Sequence, residues 1–264
     1  MTVGEALRAL EAREARLLLA KATGFSEASV LAHAERTLPE EAERMFRDFA
    51  ARRARGEPIA YILGEKEFYG LPLAVNAAVL IPRPETELLV ERALALRPAS
   101  VLDLGTGSGA VALAIKRHLA SARVVAVERS AAALAIAQRN ALRLGLEVEF
   151  HHGLWFAPVA GVRFDLIVSN PPYVAADDLH LLQGDLRFEP QSALVAGPQG
   201  LESIREIAAG AAAHLNPGGW LLLEHGLGQD GEVRKLLGTQ GLEGIESWPD
   251  LAGIARVTGG GLKS

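Results

Sequence analysis

The 264-residue chain is 49% hydrophobic and 22% charged, which is the composition of a folded globular chain and excludes disorder as its main state. It has no cysteine, so disulfide frameworks, thiol nucleophiles and thiolate metal centres are excluded and a reducing compartment is the expected setting. With 27 Lys and Arg against 32 Asp and Glu the net charge is −5, which argues against a sequence-independent grip on long nucleic acid.

The first twenty residues carry Glu5, Arg8, Glu11, Arg13, Glu14 and Arg16 at helical intervals, where a secretory signal would have an uninterrupted apolar stretch. The longest uncharged run, between Glu206 and Glu224, is broken by Asn216, Pro217, Gly218 and Gly219, so no membrane span is expected. A cytoplasmic protein is the resulting expectation. Residues 1 to 64 read as a helical domain. Thr2 and Glu5 have capping-box spacing, and Leu7, Leu10, Leu17 and Leu18 predict one helical face running to a stop at Gly24. Ser26 is placed to cap a second segment through Leu38, and Pro39 opens a third that ends in the run Arg52, Arg53, Arg55, Gly56. The cluster Arg44, Arg47, Arg52, Arg53 and Arg55 suits either a solvated helix face or a docking surface for an acidic partner.

From residue 65 to 84 the period changes, with Phe68, Tyr69, Leu71, Leu73 and Val75 interrupted by Gly70, Pro72 and Asn76, which predicts a hairpin linker. Residues 85 to 264 then alternate. Strands are expected at Ser100 to Leu104, Arg123 to Val127, Glu147 to His151, Phe164 to Ser169 and Trp220 to His225. Helices are expected at Ala110 to Leu119, Ala131 to Leu144 and Leu201 to Leu215. Such alternation predicts an α/β fold with a parallel, doubly wound sheet. Gly244 to Trp248 and Ile254 to Thr258 suit a terminal antiparallel pair, and Gly259, Gly260 and Gly261 a frayed tail.

Four segments bear on chemistry. Val101 to Leu104 runs into Gly105-Thr106-Gly107-Ser108-Gly109 and then a helix, a turn in which backbone N–H groups can approach a ligand closely. Its G-x-G-x-G spacing lacks the third glycine of the dinucleotide fingerprint. Glu128 ends the next strand, where a carboxylate can accept both hydroxyls of a ribose. Beyond the following strand, Trp155 and Phe156 suit an aromatic wall for a base or a place in the core. Asn170-Pro171-Pro172-Tyr173 is the most specific segment. Two prolines stiffen it and leave carbonyls without N–H groups, at the strand end where doubly wound folds bind ligands. His151, His152, His214 and His225 have no metal-ligand spacing, and no metal is expected.

The glycine loop, Glu128 and Asn170 to Tyr173 together resemble a class I, Rossmann-like S-adenosylmethionine methyltransferase acting on an amide or exocyclic nitrogen. Within that group Glu57 to Gly64, Phe68-Tyr69, Ile81 to Glu87, Gln183 to Pro190 and Ala193 to Gly197 are similar to the PrmC/HemK family of peptide chain release factor glutamine methyltransferases. The resemblance implies transfer of a methyl group from S-adenosylmethionine to N5 of the glutamine in a Gly-Gly-Gln motif, with release factors as partners and S-adenosylhomocysteine as product. It implies a donor site at Gly105, Thr106, Gly107, Ser108, Gly109, Glu128, Leu154, Trp155 and Asn170. The glutamine falls to Asn170, Pro171, Pro172 and Tyr173, with Asn170, Pro171 and Tyr173 as the catalytic set. Leu154 departs from the family, which often has an acid there, and Ala252 to Arg256 replaces a more polar stretch. Rival readings are an N6-adenine-type methyltransferase, a ribosomal-protein glutamine methyltransferase and a non-catalytic release-factor binder.

Overall fold

A computed structural model describes residues 1–263, and its contacts divide them into 1–65 with 182–188, and 66–181 with 189–263. The first unit holds helices α1 (Val3–Leu7), α2 (Ala12–Thr23), α3 (Glu27–Ala32), α4 (Glu40–Ala54) and α5 (Ile59–Leu63). Their core is built around Leu18, Leu19, Phe46 and Phe49. The Thr2 capping box is present, and Ser26 caps α3.

Two helical expectations are corrected. The face expected to run unbroken to Gly24 is cut at Glu11, which has an extended ψ of 139° and whose carboxylate takes the N–H groups of Arg13 and Glu14. The segment expected to reach Leu38 stops at Ala32, because the following residues turn back onto α1. Their carbonyls serve its free N–H groups, Val3 donating to Arg36 at 2.9 Å and Gly4 to Ala34 at 2.8 Å. Of the arginine cluster, Arg47 pairs with Glu43, Arg52 with Glu57, and Arg53 with Glu14 and Asp185. Sequence order puts Gln183 to Phe188 far from this unit, yet Arg187 donates to the Arg55 carbonyl at 2.6 Å. Its guanidinium stands where a Cβ at Gly56 would be.

From the end of the first unit into the second, β1 (Glu65–Phe68) and β2 (Leu71–Ala74) form a two-stranded ribbon. Tyr69 and Gly70 both have positive φ, 49° and 75°, as a two-residue primed turn requires. There follow α6 (Glu87–Leu96), β3 (Ser100–Leu104), α7 (Ala110–His118), β4 (Arg123–Glu128), α8 (Ala131–Leu144), β5 (Glu149–His152) and β6 (Phe164–Ser169). The chain continues through the short β7 (Val174–Ala175), α9 (Gln191–Leu194) and β8 (Val195–Gly197). It closes with α10 (Glu202–His214), β9 (Leu215–Glu224), α11 (Asp230–Thr239), β10 (Leu242–Pro249) and β11 (Ala255–Leu262).

The seven-stranded sheet has the order β10-β11-β9-β6-β3-β4-β5. The last five in that order are mutually parallel, and β11 runs antiparallel between β9 and β10. Alternate residues feed two cores. Val101, Val124, Leu166 and Leu222 pack on one side with α6 and α7, while Leu102, Val125, Ile167 and Leu221 pack on the other with α10 and α11. The parallel α/β architecture expected from the alternation is therefore present. None of the helices among the described residues is long and apolar enough to cross a membrane.

The expected glycine tail is instead part of β11. Gly259, Gly260 and Gly261 pair with Leu222, Leu221 and Trp220 of β9. A Cβ on Gly259 would stand 2.4 Å from Leu222 Cδ2 and 2.8 Å from the Leu221 carbonyl, and one on Gly261 would press on the Trp220 indole. These glycines are there because a neighbouring side chain fills the space, not because the chain end is loose. Gly259→Ala is expected to destabilise the protein by about 1–3 kcal/mol through overpacking. Urea unfolding checks it, since a frayed tail would leave the midpoint unchanged.

Candidate active site

A sheet buried on both faces has little room for polar side chains, yet four stand at the carboxyl ends of adjacent parallel strands. They are Asp103 on β3, Glu128 on β4, Ser169 followed by Asn170 on β6, and Glu224 on β9. A cavity opens above these ends. It is lined by Gly105 to Ser108, Glu128, Leu154, Trp155, Asn170 and Pro172, together with Ala78 to Leu80, Pro82, Thr86, Ser192, Ala193 and Glu206. Of the residues expected in a site, Gly109, Pro171 and Tyr173 lie outside this lining.

The glycine loop is held from several sides. Gly105, Gly107 and Gly109 have φ of 74°, 57° and 85°, a left-handed backbone that L side chains rarely adopt. Glu128 Oε2 accepts the Gly107 N–H at 2.9 Å and Oε1 the Ser130 N–H at 2.8 Å, so the buried carboxylate braces the loop as well as facing the cavity. Asn140, buried on α8, donates to the Ser108 carbonyl at 2.9 Å and exchanges two hydrogen bonds with Ala74 of β2. Gly109 caps α7 and packs against Leu113 and Ala137, which is a structural position.

Trp155 and Phe156 divide the two roles left open for them. Trp155, with φ of 45°, lines the cavity with its ring edge 3.5 Å from where a Gly105 Cβ would stand. Its indole N–H donates to Glu206 Oε2 at 2.6 Å. Phe156 stacks on the His214 ring at 4.4 Å and fills the space beside Gly210, so it belongs to the core. Across the cavity, Asn170 Nδ2 donates to Thr86 Oγ1 at 3.1 Å. The Tyr173 hydroxyl donates to Glu224 Oε1 at 3.3 Å. Glu189 takes the Ile81 N–H at 3.0 Å and pairs with Arg83, which fixes the Ile81-Pro82-Arg83 stretch beside the cavity. His225 is buried against Thr258 at 2.8 Å, and burial holds its pKa below the usual range.

Two acids are unusually poised. Burial pushes Asp103 up to about 7, aided by the charge of Glu128 and opposed by hydrogen bonds from Thr106, at 2.6 Å, and from the Ala112 N–H. Burial likewise pushes Glu224 up to about 7, opposed by the nearby hydroxyls of Thr86 and Tyr173. Sequence reading missed Thr86, Asn140 and Glu206. Thr86 falls within the family-like segment Ile81 to Glu87 but was given no role there, Asn140 and Glu206 sit in no local motif, and each acts on a partner 32 or more residues away, as the 84-residue span from Thr86 to Asn170 illustrates.

For Asp103 the folded pKa of about 7 lies above the usual 3.8, so the unfolded chain releases this proton first as pH rises. Its contribution is complete below about 4 and is lost as pH climbs to about 7. Asp103→Asn, which cannot ionise, should therefore gain stability relative to the parent across that window. Denaturant unfolding at several pH values measures it, and a stability difference constant with pH would contradict the raised pKa.

Residues 84–185 match the Methyltransferase small domain family and residues 4–64 the PrmC N-terminal domain family. A release factor glutamine methyltransferase of Xylella fastidiosa is 51% identical over 256 residues, covering 95% of this chain and 93% of that protein. One of Burkholderia pseudomallei is 48% identical over 274 residues, covering 99% and 96%. Among solved structures, a methyltransferase from Pyrococcus furiosus superposes with a TM-score of 0.60 at 20% identity, over 82% of this chain and 99% of that one, a likeness of fold. The near-complete coverage at about half identity leaves one conclusion: this chain belongs to the family of release factor glutamine methyltransferases.

Proposed function

We propose that this chain transfers a methyl group from S-adenosylmethionine to the side-chain amide nitrogen of a glutamine in peptide chain release factors, the glutamine of their Gly-Gly-Gln motif. Membership of the family supports the activity. The observation that carries it is that one and the same cavity is bordered on one side by the glycine loop and Glu128 and on another by Asn170 and Pro172. The residues present suit such a donor. Gly107 has open space where a Cβ would stand, a buried carboxylate faces the cavity, and Trp155 offers an aromatic face beside Gly105. Glu128 would take the ribose hydroxyls, the loop N–H groups the polar tail, and Trp155 with Leu154 the adenine.

When bound, S-adenosylmethionine supplies an electrophilic methyl carbon and leaves as S-adenosylhomocysteine. A primary amide is a poor nucleophile, because its nitrogen lone pair is delocalised into the carbonyl. In this reading Asn170 Oδ1 and the Pro171 carbonyl each accept one amide hydrogen, which orients the nitrogen and stabilises the positive charge that grows on it. The proline pair makes these acceptors stiff, so little reorganisation accompanies reaction. No strong base is needed, because the alkylated nitrogen is acidic enough to release one proton to water. Positioning of this kind contributes up to about 7–11 kcal/mol in well-oriented systems. Tyr173, its hydroxyl on Glu224, braces the far end of the segment.

The direct test incubates the chain with isotopically labelled donor and a release factor, then maps the modified residue by mass. Label on the Gly-Gly-Gln glutamine is expected, and label on a nucleobase or on another protein class would overturn the assignment. Asn170→Ala should lower kcat by at least about 100-fold, the scale of losing one oriented polar contact in the transition state, with a smaller change in donor affinity. Glu128→Ala should do the reverse and weaken donor binding by about 10- to 100-fold, as expected for losing a charged hydrogen-bonding partner worth about 1.5–3 kcal/mol. Calorimetric titration of donor against each variant separates the two effects.

A further inference from the structure

Glycine has more backbone freedom to lose than any other residue, so a glycine loop that must hold its N–H groups in place has to be tied from outside. Gly105, Gly107 and Gly109 of the cavity loop all lie in the left-handed region. The peptide between Ser108 and Gly109 is held at both ends: the Gly109 N–H donates to the Thr106 carbonyl at 2.8 Å, and the Ser108 carbonyl accepts from Asn140 Nδ2 at 2.9 Å. Asn140 of α8 is fully buried, and the rest of its carboxamide also goes to backbone. Nδ2 donates to the Ala74 carbonyl at 3.1 Å, and Oδ1 accepts the Ala74 N–H at 2.7 Å.

Holding both the N–H and the C=O of one residue is what a neighbouring antiparallel strand would do, so the Asn140 carboxamide stands in for a strand on the edge of β2. Only one orientation satisfies all three contacts, because turning the group over would set N–H₂ against the Ala74 N–H and oxygen against two carbonyls. Three residues on along the same face of α8, the Arg143 guanidinium donates to the Pro72 carbonyl, a second grip on β2. Beyond Ala74 the chain turns at Asn76, whose side chain accepts the Ala78 N–H at 2.9 Å and whose carbonyl accepts the Val79 N–H at 3.1 Å. Ala78, Val79 and Leu80 then line the same cavity as Ser108. One buried side chain therefore holds both the glycine loop and the strand that leads into another part of the cavity lining.

On the reading of the glycine loop as the donor site, we propose that Asn140 is a positioning residue for it: Asn140 sets the loop for S-adenosylmethionine and couples donor binding to the order of β2 and the turn that follows it. Asn140 is not itself in the cavity lining, so it acts through the backbone it holds. Without the carboxamide the carbonyl of Ser108, a residue 3% exposed, loses its donor, and the loop must shift or carry the cost of an unpaired buried group. The coupling follows from the shared side chain. A donor that holds the loop still makes Asn140 a firmer partner for Ala74, and by reciprocity an ordered β2 favours the donor. Exchange of backbone amides with solvent reads that order directly.

The test uses the full-length chain, with S-adenosylhomocysteine as ligand for calorimetric titration and hydrogen exchange, and labelled donor with a release factor for turnover. Asn140→Leu nearly keeps the shape of the side chain and removes its hydrogen bonds. It should weaken ligand affinity by about 10- to 100-fold, the range for partners one step removed from a bound group, with a smaller change in kcat at saturating donor. In the parent the ligand should slow exchange across residues 71–80 by about 5-fold or more, the low end of couplings between sites. That slowing should vanish in Asn140→Leu saturated with ligand. Gly259→Ala, outside the cavity lining, should keep both the affinity and the slowing, which separates positioning from lost stability. Parental affinity in Asn140→Leu, slowing that persists there, or an equal loss of affinity in Gly259→Ala would overturn the proposal and leave the donor site standing. Failure of S-adenosylhomocysteine to bind the parent would overturn the donor reading, and the proposal with it. If Asn140→Leu does not fold, exchange in the parent decides, since a bound ligand that leaves residues 71–80 unchanged overturns the coupling.

Discussion

The central constraint is that four parallel strands, β3, β4, β6 and β9, are covered on both faces. Along β3, β4, β6 and β9 a side chain points into one core or the other, so polar groups are tolerated where the strands end and the backbone turns away. Asp103, Glu128, Ser169 with Asn170, and Glu224 are therefore collected at one edge by the same packing that forms the cores. Each then meets a specific partner: Thr106, the loop N–H groups, the Leu104 carbonyl, Thr86 and Tyr173, with Glu224 Oε2 left unpaired. Site and core are two results of one arrangement of apolar surface.

That arrangement explains what could be read from the chain in advance. The parallel sheet was visible because Val101-Leu102, Val124 to Val127 and Leu221 to Leu223 are apolar runs with helical stretches between them, a pattern that only two-sided burial accommodates. The glycine loop, Glu128 and the Asn170 segment were visible because their backbone demands are local: glycines at positive φ, and prolines that fix the chain around them. The contacts of Thr86, Asn140 and Glu206 were not visible, even with Thr86 inside a family-like segment, since a threonine before a helix or a glutamate within one carries no mark of the distant group it will meet. The glycines of β11 failed in the opposite sense. Their composition suggested looseness, and what they supply is clearance for Leu222 and Trp220.

The buried carboxyls show how function and stability pull against each other. Asp103 and Glu224 both titrate near 7 because the fold removes water from them, and that is a charge of destabilisation carried at neutral pH. Tyr173 shares the effect, its hydroxyl made less acidic by burial and by the neighbouring carboxylate. Surface pairs such as Arg123 with Glu149 do not offset this, being half exposed and screened. The hydrophobic interior carries the fold, and the acids at the strand ends are supported by it.

The segment Leu182–Phe188 belongs with the helical unit, although 116 residues, Lys66 to Leu181, separate it in sequence from the end of Met1–Glu65. Asp185 meets Arg53, and Arg187 meets the Arg55 carbonyl and occupies the notch left by Gly56. The helical unit is thus not a contiguous cassette. A chimera joined at residue 65 would import one half of these contacts and keep the other from its host, so moving the helical unit between relatives requires transplanting two stretches of chain together.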